Sequence, residues 1–430
     1  MNKWKKTNLF EISDSAPKSF VDGDWIESPY ITDEGVRLIQ TGNIGVGHFK
    51  NKNKKYISYA SFKELNCTEV FAGDILICRL AEPVGRSCIV PNVEEKYITS
   101  VDVCILRVSK EHSKEYINQY LNTEFFLKKA ELLSGGSTRQ RISRTNLGKI
   151  AIKAPQLSQQ NKIAKILSTC DTVISQTEQA IKKYEAIKQG MMKDLFTRGI
   201  DVNTGKLRLS YEAQPDLYKQ SESGWIPNDW TTAQLKDYTI KNMYGPRFSA
   251  NDYDTKGNVR TIRGMDFSKN GNILYKQAPI ASLPVSKVST HLLIEDDVVI
   301  VTTADCGLTA VYEEQGFPYI PSAYSVKFRF TKDLNPYFFK YFMQTNFAHR
   351  LVNKYVRQGT LGNLPGSDIL IFKIIVPHFD EQKRIVEKLD FISYKIRTEQ
   401  ETLKKYQQIK AGLMQDLLTG KVQVQTDDAA

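Results

Sequence analysis

Residues that could carry out catalysis occur in this sequence only as fragments of known motifs. The segment Asn335–Phe338 reads Asn-Pro-Tyr-Phe and lacks the second proline of the Asn-Pro-Pro-Tyr/Phe motif of amino-methyltransferases, and no glycine-rich cofactor loop follows a strand upstream of it. Pro215-Asp216 is not followed at a useful distance by the Glu-x-Lys or Asp-x-Lys of a nuclease metal site. No Gly-x-x-x-x-Gly-Lys-Ser/Thr loop is present for a nucleoside triphosphate. The sequence therefore predicts a chain that is not itself an enzyme.

Histidines and cysteines show no spacing typical of a metal site or of a disulfide framework. The five histidines are scattered along the chain, at positions 48, 112, 291, 349 and 378. The six cysteines form no Cys-x-x-Cys pair and stand at positions 67, 78, 88, 104, 170 and 306. We therefore expect neither a metal nor another cofactor, and we interpret the cysteines as buried thiols of a cytoplasmic protein.

Charge and hydropathy favour a folded protein with a polyanionic partner. The 430 residues carry 59 Lys and Arg against 48 Asp and Glu, a formal net charge of +11, and such an excess suits nucleic acid first of all. A basic protein without such a partner is the alternative.

The basic start Met1–Lys6 leads into no apolar segment, and no run of about 18 apolar residues occurs. We therefore expect no signal peptide, no membrane span and a cytoplasmic location.

The elements that would position any binding residues are arranged in a repeat with an offset of 222 residues. Its clearest matches are Pro155 with Pro377 and Gln160 with Gln382. The same offset holds without a gap for Leu167 and Leu389, Lys182–Tyr184 and Lys404–Tyr406, Gly190 and Gly412, Asp194-Leu195 and Asp416-Leu417, and Thr197 and Thr419. The globular segments that precede these matches resemble each other less closely, at offsets of 222 to 226. Each half is therefore a variable globular module followed by a strongly patterned segment.

The two patterned segments are predicted to be long helices. Residues that are mostly apolar recur in alternating steps of four and three, which is the 3.5-residue period of a coiled-coil seam. The first seam comprises Ile163, Leu167, Cys170, Ile174, Thr177, Ile181, Tyr184, Met191 and Leu195, and the second has Ile385, Leu389, Ile392, Ile396, Glu399, Leu403, Tyr406, Leu413 and Leu417. Lys188 and Lys410 break the two seams at equivalent positions. Each helix would run for about 38 residues, or roughly 57 Å. We expect the helices to pack on each other in antiparallel orientation; the alternative is that each packs on its own module.

The globular modules are predicted to be mixed α and β. Short β-rich runs are punctuated by Gly, Pro and Asn: Asp74–Cys78, Val101–Val108, Val298–Thr302 and Ser325–Phe330. One amphipathic helix follows in each module, near Lys114–Leu133 and Pro336–Val356, and ends in a polar loop. The predicted fold class is thus α+β, with two mixed modules separated by two long antiparallel helices. We expect modules at 1–154 and 225–376, long helices at 155–200 and 377–420, a linker at 201–224 and a tail at 421–430.

Two local signatures carry a family resemblance. Gly224-Trp225-Ile226-Pro227-x-x-Trp230 looks like the opening signature of a target-recognition domain, of which the first half keeps only Trp4. The segments Lys188–Thr197 and Lys410–Gly420 resemble a Lys-Gly-Leu-Met-x-Asp-Leu-Leu-Thr-Gly tail. With these signatures and its duplicated layout, the chain resembles, over essentially its whole length, the specificity subunits of bacterial type I restriction–modification systems.

The resemblance implies a DNA-sequence-specificity function. Each module would be a target-recognition domain for one half of a bipartite, asymmetric site in double-stranded DNA. The helices would act as a ruler and as the docking surface for two methyltransferase subunits, which two restriction and translocation subunits would join. Two alternatives remain at this point: the equivalent subunit of a system whose methyltransferase and nuclease are fused in one partner, and a coiled-coil scaffold that never reads DNA.

Three polar patches in each module are the candidate DNA contacts. Small residues let a backbone approach DNA closely, while Arg and Gln can address the edges of G and A. The predicted contacts are the loop residues Ser137, Thr138, Arg139, Gln140, Arg141, Arg357, Gln358 and Thr360, the patch Gln40, Thr41, Asn43 and Arg263, the strand-end residues Arg79, Thr302 and Thr303, and the weaker candidates Tyr244 and Arg247.

Overall fold

A computed structural model describes residues 4–14, 16–80, 82–92, 95–136, 138–268 and 270–426 of the chain. The chain divides into two compact units. The first consists of Met1–Gln179 with Gln400–Ala430, and the second of Ala180–Glu399. Each unit therefore combines one globular module with a part of both patterned segments.

The first unit is built from short strands and short helices, followed by a long helix that continues into the second unit. Its strands are β1 Lys5–Thr7, β2 Phe20–Asp22, β3 Ile31–Thr32, β4 Val36–Ile39, β5 Lys55–Ile57, β6 Ile75–Cys78, β7 Ser87–Ile89, β8 Tyr97–Thr99, β9 Val103–Leu106 and β10 Ile152–Ala154. Its helices are α1 Leu9–Ile12, α2 Tyr59–Glu64, α3 Lys114–Leu121, α4 Glu124–Leu132, α5 Arg144–Gly148 and the start of α6, Leu157–Thr197.

The second unit has the same kinds of elements, preceded by a hairpin. Its strands are β11 Tyr218–Ser221, β12 Gly224–Pro227, β13 Thr231–Gln234, β14 Thr239–Tyr244, β15 Val259–Ile262, β16 Ile280–Ala281, β17 Val298–Val301, β18 Thr309–Val311, β19 Tyr319–Pro321, β20 Ser325–Phe330 and β21 Lys373–Val376. Its helices are α7 Val285–His291, α8 Pro336–Phe342, α9 Asn346–Tyr355, α10 Gly366–Leu370 and the start of α11, Phe379–Thr419. The hairpin β11–β12 lies partly in the segment predicted as a linker.

The sheets confirm that the chain is duplicated. An antiparallel sheet of order β2-β9-β6-β7 in the first unit corresponds to β14-β20-β17-β18 in the second. A second sheet pairs β4 in parallel with β8, and its counterpart pairs β15 in parallel with β19. The central strands β6 and β17 are buried at every position, as their continuous apolar sequences require. The predicted mixed α and β character is therefore confirmed in both modules.

Each predicted amphipathic helix is interrupted where one continuous helix was expected. Thr123 accepts a hydrogen bond from the backbone N of Phe126 and thereby caps a new helix, α4, after α3. Thr345 caps α9 in the same way, at the same offset of 222. A threonine at this position competes with the helical backbone for hydrogen bonds, which favours a helix start over a helix interior. The prediction of a single helix in each module was therefore wrong.

Both long helices have 41 residues and keep the offset of 222 at their first and last residues. All predicted seam positions are buried or half-buried. Burial is deepest near the starts of the helices, where Ile163, Leu167, Ile385 and Leu389 are fully buried. The sequence period therefore predicted the buried face of both helices correctly.

Contacts within the first unit establish the antiparallel direction. Gln159 donates to the carbonyl of Val424, and Ile163 and Leu167 share a core cluster with Leu417 and Leu418. Farther along α6, Lys410 contacts the carboxylate of Asp171, with 2.5 Å between Nζ and Oδ1. As residue numbers increase along α6, those of the contacting residues in and beyond α11 decrease, so the two helices are antiparallel.

The long helices also pack on the modules. In the second unit Met192 and Leu195 of α6 join Ile385 and Leu389 of α11 in one cluster with the module core. The first unit mixes helix and module residues in the same way. The two arrangements that the sequence left as alternatives are therefore combined, because each helix presents one face to its helical partner and another to a module.

A repeated glutamine fixes the start of each long helix against its module. Gln160 accepts from the backbone N of Ser113 at 2.9 Å and donates to the carbonyl of Pro155 at 2.8 Å. Gln382 accepts from the backbone N of Asn335 at 2.8 Å and donates to the carbonyl of Pro377 at 2.9 Å. Both amides are buried, so their hydrogen bonds are costly to leave unmade. The identity of this pair in the sequence repeat therefore has a structural cause.

Candidate nucleic-acid interface

A closed loop follows the second short helix of each module. In loop A, residues 135–141, the backbone N atoms of Gly135 and Arg141 donate to each other's carbonyls at 3.0 and 2.9 Å. In loop B, residues 357–363, Arg357 and Asn363 make the same two hydrogen bonds at 2.8 and 3.1 Å. The two pairs of residues are related by the offset of 222. The predicted equivalence of the two loops is thus matched hydrogen bond by hydrogen bond.

The base of each loop is fixed to the end of a buried strand. The backbone N of Ile142 donates to the carbonyl of Arg79 at 3.0 Å, one residue beyond β6. At the equivalent place the backbone N of Leu364 donates to the carbonyl of Thr302 at 2.8 Å, one residue beyond β17. Both loops therefore project from the carboxyl end of the central strand of their sheet.

Most of the predicted contact residues in the loops expose their side chains. Thr138 and Arg139 of loop A and Gln358 and Thr360 of loop B are exposed, whereas Gln140 is half-buried. Ser137 lies outside the described residues.

The two remaining loop arginines are exposed but paired with carboxylates. Arg141 lies 3.0 Å from Asp102, with 48% of its side chain exposed. Arg357 lies 3.4 Å from Asp368, with 69% of its side chain exposed. Exposed ion pairs of this kind are weak, so either guanidinium could exchange its carboxylate for a ligand.

The strand-end candidates are held inside the modules instead. The guanidinium of Arg79 contacts Asp22 at 2.9 Å and donates to the carbonyls of Ile142 and Val101, and its side chain is only 6% exposed. Thr302 is buried and donates to the carbonyl of Tyr324. Their side chains therefore support the loops, while the neighbouring Thr303 is half-exposed.

The third patch is a tight turn that both modules stabilise in the same way. The side chain of Asn43 accepts from the backbone N of Gln40 at 3.0 Å. In the second module, Asp266 accepts from the backbone N of Arg263 at 2.9 Å. Asp266 is fully buried and also binds the guanidinium of Arg263 through two 3.0 Å hydrogen bonds, which raise the pKa of that arginine. Asn43 and Arg263 thus hold the turn, and Gln40 and Thr41 are half-exposed on it.

The two weaker candidates differ from each other. The hydroxyl of Tyr244 accepts from the backbone N of Gly366 at 2.7 Å, so it supports the segment that follows loop B. Arg247 is exposed. Arg86, which is not among the predicted contacts, is buried and donates to the carbonyls of Thr41 and Ile44. A lone arginine after a turn carries no sequence signal for that role.

Two classes of site are absent from the part of the chain that the structure describes. No group of three or more His, Cys, Asp or Glu side chains there is arranged to hold a metal ion. None of the described helices combines the length and the apolar character needed to cross a membrane.

The fold and the paired loops define a duplicated chain with two equivalent modules that present polar loops of different sequence. Comparison with known families gives this class a name. The type I restriction–modification DNA specificity domain matches residues 3–188 and again residues 227–411. The chain therefore belongs to the family of type I restriction–modification specificity subunits, which recognise DNA and are not themselves catalytic.

Individual relatives agree with this assignment. A Methanocaldococcus jannaschii chain assigned as the specificity subunit of the type I restriction enzyme MjaX is 25% identical over 378 residues, which cover 86% of this chain and 83% of that one. The MjaVIII specificity subunit of the same organism is 26% identical over 286 residues, 64% of this chain and 63% of its own length.

Solved structures show the same fold. The S subunit of a type I restriction–modification system from M. genitalium superposes with a TM-score of 0.59 at 14% identity, over 97% of this chain and 96% of that one. A chain from a study of complex assembly and conformational transition of the type I system superposes with a TM-score of 0.55 at 16% identity, over 98% and 99%.

Proposed function

We propose that this chain reads a bipartite, asymmetric target in double-stranded DNA for a type I restriction–modification complex. Each module, at 1–154 and 225–376, reads one half-site. The long helices at 155–200 and 377–420 carry two methyltransferase subunits, which two restriction subunits join, and the complex works in the cytoplasm. The observation that carries this proposal is the identical closure of loops A and B, because one framework that supports two different loops is suited to reading two different sequences.

The proposed contacts fall into two groups. Exposed and half-exposed side chains are proposed to meet DNA: Gln40, Thr41, Thr138, Arg139, Arg141, Arg247, Thr303, Arg357, Gln358 and Thr360. Ser137 and Gln140 belong to loop A and are proposed with it. Arg79, Asn43, Tyr244, Arg263 and Thr302 are proposed to position these contacts, since their polar atoms bind other parts of the module.

Loop variants test whether the modules read separate half-sites. Arg139→Ala with Arg141→Ala should relax recognition of one half-site and leave the other unchanged, because a bidentate arginine contributes about 1–3 kcal/mol of discrimination against the wrong base. Arg357→Ala with Thr360→Ala should do the reverse. The measurement is the methylation motif found by single-molecule sequencing of host DNA carrying each variant.

Matched controls remove equal charge from exposed positions outside the loops. Lys149→Ala with Lys153→Ala serves the first module. Lys332→Ala alone serves the second, because Arg357→Ala with Thr360→Ala removes a single charge. Neither control should alter the motif. Loop variants that weaken both half-sites equally would show that these arginines contact phosphate, and the absence of any chain-dependent motif would overturn the proposed function itself.

A further inference from the structure

A lysine-rich segment of the first module is absent from the predicted contacts. Residues 50–55 read Lys-Asn-Lys-Asn-Lys-Lys. Residues 51–55 are exposed and Lys50 is half-exposed. Among the described residues, none of the four lysines has a carboxylate within ion-pair distance. Four unpaired cations therefore occupy six consecutive positions.

The backbone of this segment is fixed from inside the module. Asn43 is 3% exposed, and its Nδ2 donates to the carbonyls of Lys50 at 3.1 Å and Lys52 at 2.7 Å. Arg37 is 1% exposed, and its Nη2 donates to the same Lys52 carbonyl at 3.3 Å. At its far end the segment enters strand β5 at Lys55. The lysines thus extend from a backbone that is already positioned, which lowers the ordering cost of binding.

The segment is also connected to the proposed DNA-reading surface. Loop A pairs with Leu80 through Arg141. A few residues after Leu80, the guanidinium of Arg86 donates to the carbonyl of Pro83 and, at 3.0 Å, to the carbonyl of Thr41. The turn that contains Thr41 is in turn joined to the lysine segment through Asn43, as described above. The backbones of loop A, the turn at 40–44 and the segment at 50–55 are therefore linked to one another through Leu80, Arg86 and Asn43.

The second module keeps the support from the strand arginine but lacks the cations. Arg260, the counterpart of Arg37, donates to the carbonyl of Ala278 in the corresponding segment. That segment, residues 275–280, contains a single lysine, Lys276. Leu308 occupies the position of Arg86, one residue after a glycine of positive φ in both modules. The lysines are thus an addition to the first module and not a requirement of the fold.

We infer that residues 50–55 bind the phosphate backbone of DNA, as a sequence-independent contact of the first module that the second module lacks. This inference rests on the proposed function. Lysine ammonium groups act as point charges that bind phosphate without distinguishing bases, so the contact would strengthen binding to any sequence. The first module would then hold DNA while the second tests its half-site.

Salt dependence of DNA binding tests the inference. The full-length chain, purified with its methyltransferase subunits, is compared with Lys50→Gln/Lys52→Gln/Lys54→Gln/Lys55→Gln on one duplex that carries the methylation motif and one that lacks it. Each lost phosphate contact should reduce the slope of log Kd against log salt by about 0.9. The slope should therefore fall by about 3 to 4 on both duplexes, with at least tenfold weaker binding in dilute salt and an unchanged methylation motif.

Two further variants guard against trivial explanations. Lys6→Gln/Lys110→Gln/Lys149→Gln/Lys153→Gln removes the same charge from exposed positions outside the segment and should change the slope by less than 1. Four Lys→Arg changes at residues 50–55 should retain the parental slope. An unchanged slope in the glutamine variant, or a change equal to that of the control, would overturn the inference, as would a motif altered at one half-site. A parent chain that does not prefer the motif duplex would instead refute the proposed function.

Discussion

Loops A and B have the same backbone closure but different residues at it. Gly135 and Arg141 close the first loop where Arg357 and Asn363 close the second. Backbone hydrogen bonds make the closure in both cases, and these do not depend on which side chain is present. A module can therefore change the side chains it presents without changing how they are supported.

The long helices show a contrast of another kind, in which equivalent positions are anchored unequally. Glu381 of α11 is fully buried and accepts from the backbone N of Ile200, the indole of Trp230 and the guanidinium of Arg208. The equivalent residue of α6, Gln159, makes one hydrogen bond to the carbonyl of Val424 and is half-buried. The carboxylate of Glu381 thus fixes the start of α11 through several hydrogen bonds, whereas the start of α6 has one at the equivalent position.

The largest expected effect removes that carboxylate. Glu381→Ala leaves two buried donors, the indole N–H of Trp230 and the backbone N–H of Ile200, without their acceptor, while Arg208 keeps Asp229 as its remaining carboxylate partner. Each buried donor left without an acceptor costs about 1–3 kcal/mol, so we expect a loss of about 3–5 kcal/mol in the free energy of unfolding measured by urea denaturation.

The matched variant is Gln159→Ala, which should cost about 1 kcal/mol because one hydrogen bond is lost. Equal losses from Glu381→Ala and Gln159→Ala would show that the two helix starts are anchored alike, contrary to the contrast drawn above.

An intermediate effect is expected at the strand ends. Arg79→Met removes a buried cation from Asp22 and from two carbonyls, and hydrogen bonds to charged groups contribute about 1.5–3 kcal/mol. Thr302→Val, its counterpart, loses one hydrogen bond and should cost about 1 kcal/mol. Thermal unfolding gives both values.

Motif sequencing completes the test at these positions. Neither Arg79→Met nor Thr302→Val should change the methylation motif at a temperature where the variant is folded. A changed half-site with unchanged stability would mean that the side chain leaves its internal partners and reads DNA, as the sequence had suggested.

The smallest effect concerns the two lysines that break the seams. Lys410 is paired with Asp171, which also accepts from Gln119 at 2.7 Å. Lys188 instead lies over the ring of Tyr341, and burial together with the nearby charge of Lys340 lowers its pKa. We expect Lys410→Met to destabilise the chain by up to about 1 kcal/mol, and Lys188→Met to be neutral or slightly stabilising because a poorly paired charge is removed.

Denaturation of both lysine variants beside the parent decides this prediction. The opposite order of stability would show that Lys188, and not Lys410, is the better-satisfied cation.

Sequence alone was sufficient where the determinant is local or repeated. The heptad pattern predicted the buried faces of α6 and α11, and the offset of 222 identified loops A and B as equivalent. The sequence was insufficient where a single residue overrides the apolar pattern around it. The apolar spacing across residues 114–133 suits one helix, yet Thr123 ends it by capping the next one.

The candidate site divides along the same line. Composition and turn chemistry led to loops that do expose Arg139 and Thr360, because polar residues between apolar elements lie on the surface. The same polarity at Arg79 and Asn43 led to predicted DNA contacts, but these side chains are buried. A polar residue near a turn either binds a ligand or stabilises the turn by hydrogen bonds, and the residue type alone does not distinguish these roles.

What the sequence by itself determined is the duplication, the buried face of each long helix and the family, since each rests on a period or motif that recurs along the chain. Only the tertiary structure decided which polar side chains remain available to a ligand. Arg79 contacts Asp22, and Asn43 donates to the Lys52 carbonyl; in both cases the partner is distant along the sequence. A buried polar group must find its partner wherever the fold brings one, and that partner cannot be identified from spacing along the chain.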